Sequence, residues 1–361
     1  MALTDKLSAI AESIRSKTGS TDKMTLDEMA TNIANIKSGD ISAFINSDNL
    51  EIGLNDSEGY FGLKCIKKLP ENLDTSNVNN LAYAFAFMES LTEIPNIDVS
   101  NCMRFNYMFY NCKSLKKIPK LNFNSNLISL GHTSNMFYGC KSLTTEDINA
   151  INLPPLRTVS NLFGYCTSMK EIPNIDISNL DYNSSGSSSG FFTGSGLVVA
   201  DCSNLILPKY SSNKDYYAQA WFNYCNDLVE IKNWDTSFVV KAGYMFQQIP
   251  KLKKLCALDF SNVNSTNPFP YSGIPSLEDF GGFINLGKAY TGTYSNVNNY
   301  KLDLSKEINL THESLMNVIN GLYDIASAGV ATQQLILGST NLAKLTEDEI
   351  VIATTKGWSV S

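Results

Sequence analysis

"YMFYNCKSLKKIP" (residues 107–119) returns almost unchanged as "NMFYGCKSLTTED" (135–147), 28 residues further along. A recurrence this long marks the period of a repeat. Aligned on it, Phe85, Phe109, Phe137, Phe163, Phe222 and Phe246 fall at one position, with Phe192 a weaker match. Leu91, Leu115, Leu143, Met169, Leu197, Leu228, Leu252 and Leu277 follow, spaced 24, 28, 26, 28, 31, 24 and 25 residues apart. About eight imperfect copies of a ~25-residue unit predict an α/β solenoid, because one copy cannot bury its own apolar face and must stack on its neighbours.

Each copy has two further parts. "LP" at Leu69–Pro70 and "IP" at Ile94–Pro95, Ile118–Pro119 and Ile172–Pro173 close a short alternating segment such as "SLTEIPNI". Alternation reads as a strand with Leu91 and Ile94 inward and Thr92 and Glu93 outward. The "YMFYNC" portion reads as a short helix or turn that packs Phe, Met and Cys. "NLDTSNV" (72–78), "NIDVSNC" (96–102), "NIDISNL" (174–180), "NWDTSFV" (233–239) and "ALDFSNV" (257–263) form a third element. Cys112, Cys140, Cys166 and Cys225 occupy one equivalent position, which predicts a ladder of small buried side chains in the reduced state. "KLNFNSNLISLGHTSN" and "NSSGSSSGFFTGSG" (183–196) read as insertions.

The string "LDTSNVNNLAYAF…SLTEIPNIDVSN…YMFYNCKSLKKIP" resembles the BspA-like leucine-rich repeats of bacterial surface proteins, over about residues 60–280. That resemblance implies a leucine-rich-repeat, right-handed parallel stack of about eight rungs. The expected organisation is an N-terminal helical attachment module (1–41), the repeat solenoid (42–300) and a C-terminal capping repeat (301–361).

Both ends differ in character from the repeats. Leu3, Leu7, Ile10 and Ile14 recur at helical spacing, as do Leu26, Met29, Ile33 and Ile36. Two short amphipathic helices need a partner surface. Leu7, Ile10, Ile14, Leu26, Met29 and Ile33 are the candidate attachment residues. "SAIAESIRSKTGSTDKMTLDEMATNIANI" resembles an N-terminal module of phage tail and baseplate proteins from Gram-positive hosts. The resemblance implies attachment to other tail or baseplate proteins, with a homotrimer as one arrangement. Residues 301–361 read as β-α-β-α-β: "KLDLS", a helix capped by Thr311, "QQLILG", and "LTEDEIVIATTKGWSVS". This segment too resembles the ending of repeat-bearing phage tail proteins.

Charge and composition narrow the function. Net charge is −7 and no basic tract occurs, which argues against nucleic acid as a partner. Charged residues are only 17%, while Asn and Ser abound, a surface suited to hydrogen bonding with glycans or protein. No run approaches ~18 consecutive apolar residues, so no membrane partner is expected. The polar start "MALTDKLSAIAESIRSK" does not read as an export signal, which predicts assembly in the host cytoplasm.

Catalytic patterns are missing. His132 falls in an insertion, and His312 reads as an exposed first-turn residue. Glu146–Asp147 could suggest a glycosidase pair, but adjacent carboxylates point apart, and "LTTEDI" reads as the start of a helical turn. Gly281–Gly282 reads as a tight turn. No catalytic residue, metal site or cofactor is expected.

Two candidate binding surfaces remain. One is a concave strip of outward strand positions: Lys67, Lys68, Thr92, Glu93, Lys116, Lys117, Lys170, Glu171, Glu230, Lys232, Lys253 and Lys254. The other is a pair of tyrosine-rich loops with Tyr210, Tyr216 and Tyr217, and with Tyr290, Tyr294 and Tyr300, a composition common in adaptable binding loops. Together with the resemblances, these predict a non-catalytic receptor-binding protein of a bacteriophage or phage-tail-like bacteriocin. It would sit at the virion tail baseplate and attach to a host cell-surface protein or glycan. A structural tail protein and a bacterial adhesin are the alternatives.

Overall fold

The computed structural model describes residues 45–46, 49–50, 67–69, 73, 75–124, 132–181, 188–211, 216–264, 273–291 and 301–361. The candidate attachment residues Leu7, Ile10, Ile14, Leu26, Met29 and Ile33 lie outside them, as do Tyr294 and Tyr300. The chain divides into two compact units, Met1–Met169 and Lys170–Ser361. In the first, Ile45–Asn46 pairs antiparallel with Asn49–Leu50 ahead of the repeats.

The "YMFYNC" segment is a pair of linked turns. The residue two before each core Phe has positive φ: Tyr83, Tyr107, Asn135, Asn161, Gly190, Ala220 and Tyr244. So has the residue two after it: Phe87, Asn111, Gly139, Tyr165, Gly194, Tyr224 and Gln248. Around them the backbone closes i to i−3 turns, as in Met108 N–H to Phe105 O, Tyr110 N–H to Tyr107 O and Cys112 N–H to Phe109 O. Left-handed residues separated by ordinary ones turn alternate N–H groups the same way, out toward the next copy. Tyr107, Phe109 and Asn111 donate to the carbonyls of Ser134, Met136 and Tyr138 at 2.7–3.0 Å. Tyr83, Phe85 and Phe87 donate in the same register to Asn106, Met108 and Tyr110.

This ladder stacks the core aromatics. Phe85, Phe109, Phe137 and Phe163 form a column with centroids 5.4, 5.7 and 5.7 Å apart and rings within 11° of parallel. All four are fully buried. In the second unit Phe192 stacks on Phe222 at 5.9 Å and 8°. Gly190, Phe192 and Gly194 donate to Gln219, Trp221 and Asn223, so residues 188–195 form a regular copy. That corrects the reading of the whole 183–196 tract as an insertion. Ser195 stands where other copies have Cys, which hid the register. Similarly, His132 and Ser134 accept from Phe105 and Tyr107, so "HTSN" already belongs to a repeat turn.

The cysteine ladder has a specific role. Cys112, Cys140 and Cys166 donate their thiols to the carbonyls of Phe85, Phe109 and Phe137, and Cys225 donates to Phe192, at 3.0–3.1 Å. Each thiol thus satisfies a carbonyl of the preceding copy within the core. Burial pushes Cys166 up to about 12 and Cys225 to about 11, and raises Cys112 and Cys140 strongly. The seven described cysteines are free thiols. In the native chain Cys112, Cys140, Cys166 and Cys225 are expected to resist iodoacetamide at pH 8 and to react fully in urea, as read by mass mapping. Rapid native modification of these four would contradict the packing.

The "D-x-S-N" element is a second ladder. Asp98, Asp176, Asp235 and Asp259 each accept, through one carboxylate oxygen, the N–H two residues on, which tightens the turn. Asn101 and Asn262 reach back to the carbonyls of Ser76 and Ser237, and the buried Thr75 and Thr236 reach forward to those of Asp98 and Asp259. The strands are shorter than the alternation suggests. The first unit has isolated parallel bridges at Asn80–Arg104 and Glu93–Lys117. The second has a four-stranded parallel sheet in the order Asp279–Phe280, Lys254–Leu255, Glu230–Lys232, Val199–Asp201.

The open edge of that sheet is closed by the helix His312–Asn320. Ser314 Oγ accepts the Phe280 N–H at 2.8 Å and donates to Glu278 O, while Asn317 Nδ2 donates to Phe280 O. Side chains thus take the place of the next strand and blunt the edge. The expected cap at Thr311 is present, its Oγ1 accepting from Ser314 N. Lys301–Asp303, Gln333–Ile336 and Trp358–Val360 form a three-stranded parallel sheet, as the β-α-β-α-β reading expects. A further short helix, Gly338–Leu342, follows the second strand.

Candidate functional site

The outward strip is built by the period of the strand. In the second unit Ala200, Ile231, Leu255 and Phe280 alternate inward and are buried. Their neighbours Val199, Glu230, Lys254 and Asp279 are therefore turned outward, in direct cross-strand register. Asp201 and Lys232 form a second outward row, 3.2 Å apart. Asn233 Nδ2 also donates to Asp201 at 3.0 Å, and its carboxyl is held far below the usual range by Asn233 and Ser203. Lys253 pairs with Glu278 at 3.0 Å, Lys254 with Asp279 at 3.8 Å, and Lys251 with Asp227 at 2.7 Å. Each opposite-charge pair bridges adjacent copies, favouring one register over its neighbours.

A groove of ≈ 340 Å³ opens on this strip. Glu230, Lys232, Lys254 and Asp279 line it, with Glu313 and Asn317 from the capping helix. Cys256 and Gly281 are also among its lining residues. A Cβ at Gly281 would strike the backbone of Ala257, so that position stays bare and the groove open. Three acids face two lysines, which makes this a mixed, slightly acidic surface. Lys170 and Glu171 are exposed in the same unit, and the Lys170 carbonyl accepts from Val198 N.

The first unit carries the same strip with opposite balance. Lys67, Lys68, Thr92, Lys116 and Lys117 are exposed, and Glu93 is half-buried. Lys68 lies 2.7 Å from Glu93, and that hydrogen bond lowers the Glu93 carboxyl. Thr92 O accepts from both Lys116 N and Lys117 N. A groove of ≈ 250 Å³ lies along Lys68, Glu93, Pro95, Asn96, Lys117 and Pro119. Its lysines outnumber its single acid, so the two units present strips of different charge.

The described tyrosines of the two loops differ in setting. Tyr216 is buried, in a strand whose partner is Val239–Lys241. Tyr217 is half-buried and Tyr210 is exposed. Tyr290 falls in the short turn Lys288–Thr291. Sequence reasoning also passed over a feature inside the repeat turn itself. Tyr83, Tyr107, Tyr110, Tyr138 and Tyr165 sit at the outer edge of the turn, while the Phe between them is buried. The alternation of aromatic and buried positions around each Phe is the signal that could have revealed it.

The remaining candidates have structural explanations. Thr144 caps the helix Thr145–Ile151, and Asp147 returns the bond to the Thr144 N–H in a capping box. The helical reading of "LTTEDI" therefore holds, and the Asp147 carboxylate is occupied by the cap. His312 is exposed and lies 2.9 Å from Glu349 Oε1. Gly282 has φ +76 and packs against the Asn317 backbone, as a tight turn requires. Among the described residues, no group of three metal-ligating side chains occurs, and no helix is long and apolar enough to cross a membrane.

Comparison with known proteins points to the repeats alone. Residues 57–179 and 214–269 match the model of a family described as Mycoplasma protein of unknown function, DUF285. The matched intervals fall on repeat copies, and the unmatched 180–213 holds the copy in which Ser195 replaces Cys. No curated protein matches the chain.

Proposed function

We propose that this chain is a receptor-binding protein of a bacteriophage tail or a phage-tail-like bacteriocin, which grips a Gram-positive cell surface without chemistry. In this reading the repeat copies form a right-handed leucine-rich-repeat solenoid, and residues 301–361 cap it. Residues 1–41 dock on the baseplate, and their likeness to tail attachment modules supplies that part of the assignment. The observation that carries the binding role is the strip. Outward charges are held in register across adjacent copies, and grooves open over them in both units. Ion pairs between copies hold the long side chains in place, which lowers the ordering cost of binding. Asp201, Glu278 and Asp279 are paired with lysines of neighbouring copies instead of converging on one point, an arrangement that suits recognition better than proton transfer.

The test uses labelled full-length chain on intact cells of a panel of Gram-positive strains. Saturable binding to a subset of strains is expected. Lys253→Glu combined with Lys254→Glu breaks the pairs with Glu278 and Asp279 and inverts the strip's local charge. It is expected to weaken binding about tenfold or more, with Tm lowered by no more than a few degrees because both pairs are exposed. Binding to no strain would instead favour a structural tail protein.

A further inference from the structure

The outer edge of the repeat turn in the first unit carries a ladder of phenols. Tyr83 stacks on Tyr107 at 4.5 Å and 4°, and Tyr110 on Tyr138 at 4.9 Å and 9°. Tyr107 meets Tyr110 at 5.4 Å and 57°, and Tyr138 meets Tyr165 at 5.2 Å and 59°, which joins the pairs into one zigzag. Phe87 closes on Tyr110 edge-on at 5.2 Å. Tyr165 is 38% exposed and the other four tyrosines are half-buried, so ring edges reach solvent along the whole row. The left-handed backbone at Tyr83, Phe87, Tyr107 and Tyr165 places these rings. Bulky aromatics are disfavoured there, and the turn bears that conformational cost four times over.

The turn segments that carry the row are uncharged, with Arg104 directly before one of them and the Glu89–Lys113 ion pair just beyond two others. The turn segments 82–87, 105–111, 134–139 and 160–165 contain no Asp, Glu, Lys, Arg or His. They contribute phenols and the amides of Asn106, Asn111, Asn135 and Asn161. Burial, and next the neighbouring phenols, push the Tyr110 and Tyr138 hydroxyls up, so both remain donors. Hydroxyl, amide and aromatic groups favour a neutral ligand over phosphate or an acidic polymer, whose binding is driven by cations. It matches a neutral ligand that offers hydroxyls and C–H faces.

Periodicity selects the form of that ligand. A phenol recurs once or twice per rung along the zigzag, two before, one after or two after the core Phe, and consecutive rungs are joined by the turn ladder in fixed register. A linear polysaccharide repeats its own hydroxyls and ring faces at a comparable step, so each added sugar meets the next rung's phenol. A folded protein surface has no such translation. We infer that this tyrosine row is a second binding surface, separate from the charged strip, for an uncharged linear polysaccharide.

The inference rests on the reading of the chain as a binding protein, and its test separates the two. Full-length chain is applied to an array of neutral linear hexose and N-acetylhexosamine oligosaccharides, and in parallel to intact cells. Retention on at least one neutral polymer is expected. Tyr107→Ala and Tyr138→Ala are each expected to weaken it about tenfold. Tyr110→Phe keeps the stacked ring and guards against misfolding; loss of its single hydroxyl is expected to weaken binding with Tm unchanged. The double charge reversal Lys253→Glu/Lys254→Glu is expected to leave glycan retention unaltered. Retention on no neutral polymer, or retention that survives the tyrosine variants, overturns the inference. So does capture only by acidic glycans or by an envelope protein. Cell binding without glycan binding would sink this surface and leave the proposed function standing; the reverse would do the opposite.

Discussion

Phe137→Ala is expected to destabilise the first unit by about 3–5 kcal/mol. Phe137 is fully buried and stacks on Phe109 and Phe163 at 5.7 Å on each side. Its N–H donates to Leu162 O, and its own carbonyl accepts the Cys166 thiol. Truncation therefore opens a cavity inside a column whose rungs are locked in register, so neighbouring rings have little freedom to collapse into it. Because each copy contacts its neighbours, the loss spreads to both adjacent interfaces. Urea titration followed by far-UV circular dichroism measures it. Tyr138→Phe, one residue away but at the outer edge, is the control and is expected to change stability by less than about 1 kcal/mol. A loss below about 1 kcal/mol for Phe137→Ala would mean that the column does not carry the stack.

Glu307→Gln should remove a large pH dependence. Glu307 is fully buried. Its Oε1 accepts the Ile274 N–H at 2.9 Å, and its Oε2 has no hydrogen-bond partner. Burial, with a smaller contribution from Asp303, raises its carboxyl from 4.5 to about 7. Between those values the folded chain holds a proton that the unfolded chain has released. Stability from this group is therefore full below pH 4.5 and is lost as pH rises through 7, by about 3 kcal/mol in all. Glutamine keeps the acceptor for Ile274 and cannot ionise. The variant is expected to hold its stability from pH 5 to 8 while the native chain declines. Carboxyls lowered by hydrogen bonds, such as Asp98 and Asp201, titrate below this window and do not interfere. Parallel pH profiles for the two proteins would contradict the assignment.

The Phe and Cys register was legible because those positions must fill the same space on every copy. The strip was legible because the same step in most copies carries polar pairs, such as Thr92–Glu93, Lys116–Lys117 and Lys253–Lys254, between two buried apolar residues. The paired left-handed turns were not legible. Tyr, Phe, Ala and Gln occupy them beside Asn and Gly, so residue type alone does not mark the conformation. Interlocking N–H bonds to the next copy impose it instead, which only the stacked state reveals. Phe192 was half-hidden for the same reason, since glycines at 190 and 194 and Ser195 satisfy the turn without the usual letters. Tyr216 reads as part of a polar loop, yet pairing with Val239 draws it into the core. The tyrosine row escaped notice because its residues share the string with the core Phe. Only the fold separates the ring that faces in from the ring that faces out.

The proposed recognition of the cell surface without catalysis is tested on isolated envelopes. Full-length chain is incubated with purified envelopes from a panel of Gram-positive strains. Bound protein is quantified by sedimentation, and soluble fragments are followed by reducing-sugar and mass analysis. Saturable, reversible binding with no fragment released over many hours is the predicted result. Steady release of sugar or peptide fragments, or no binding to any envelope, would contradict the account.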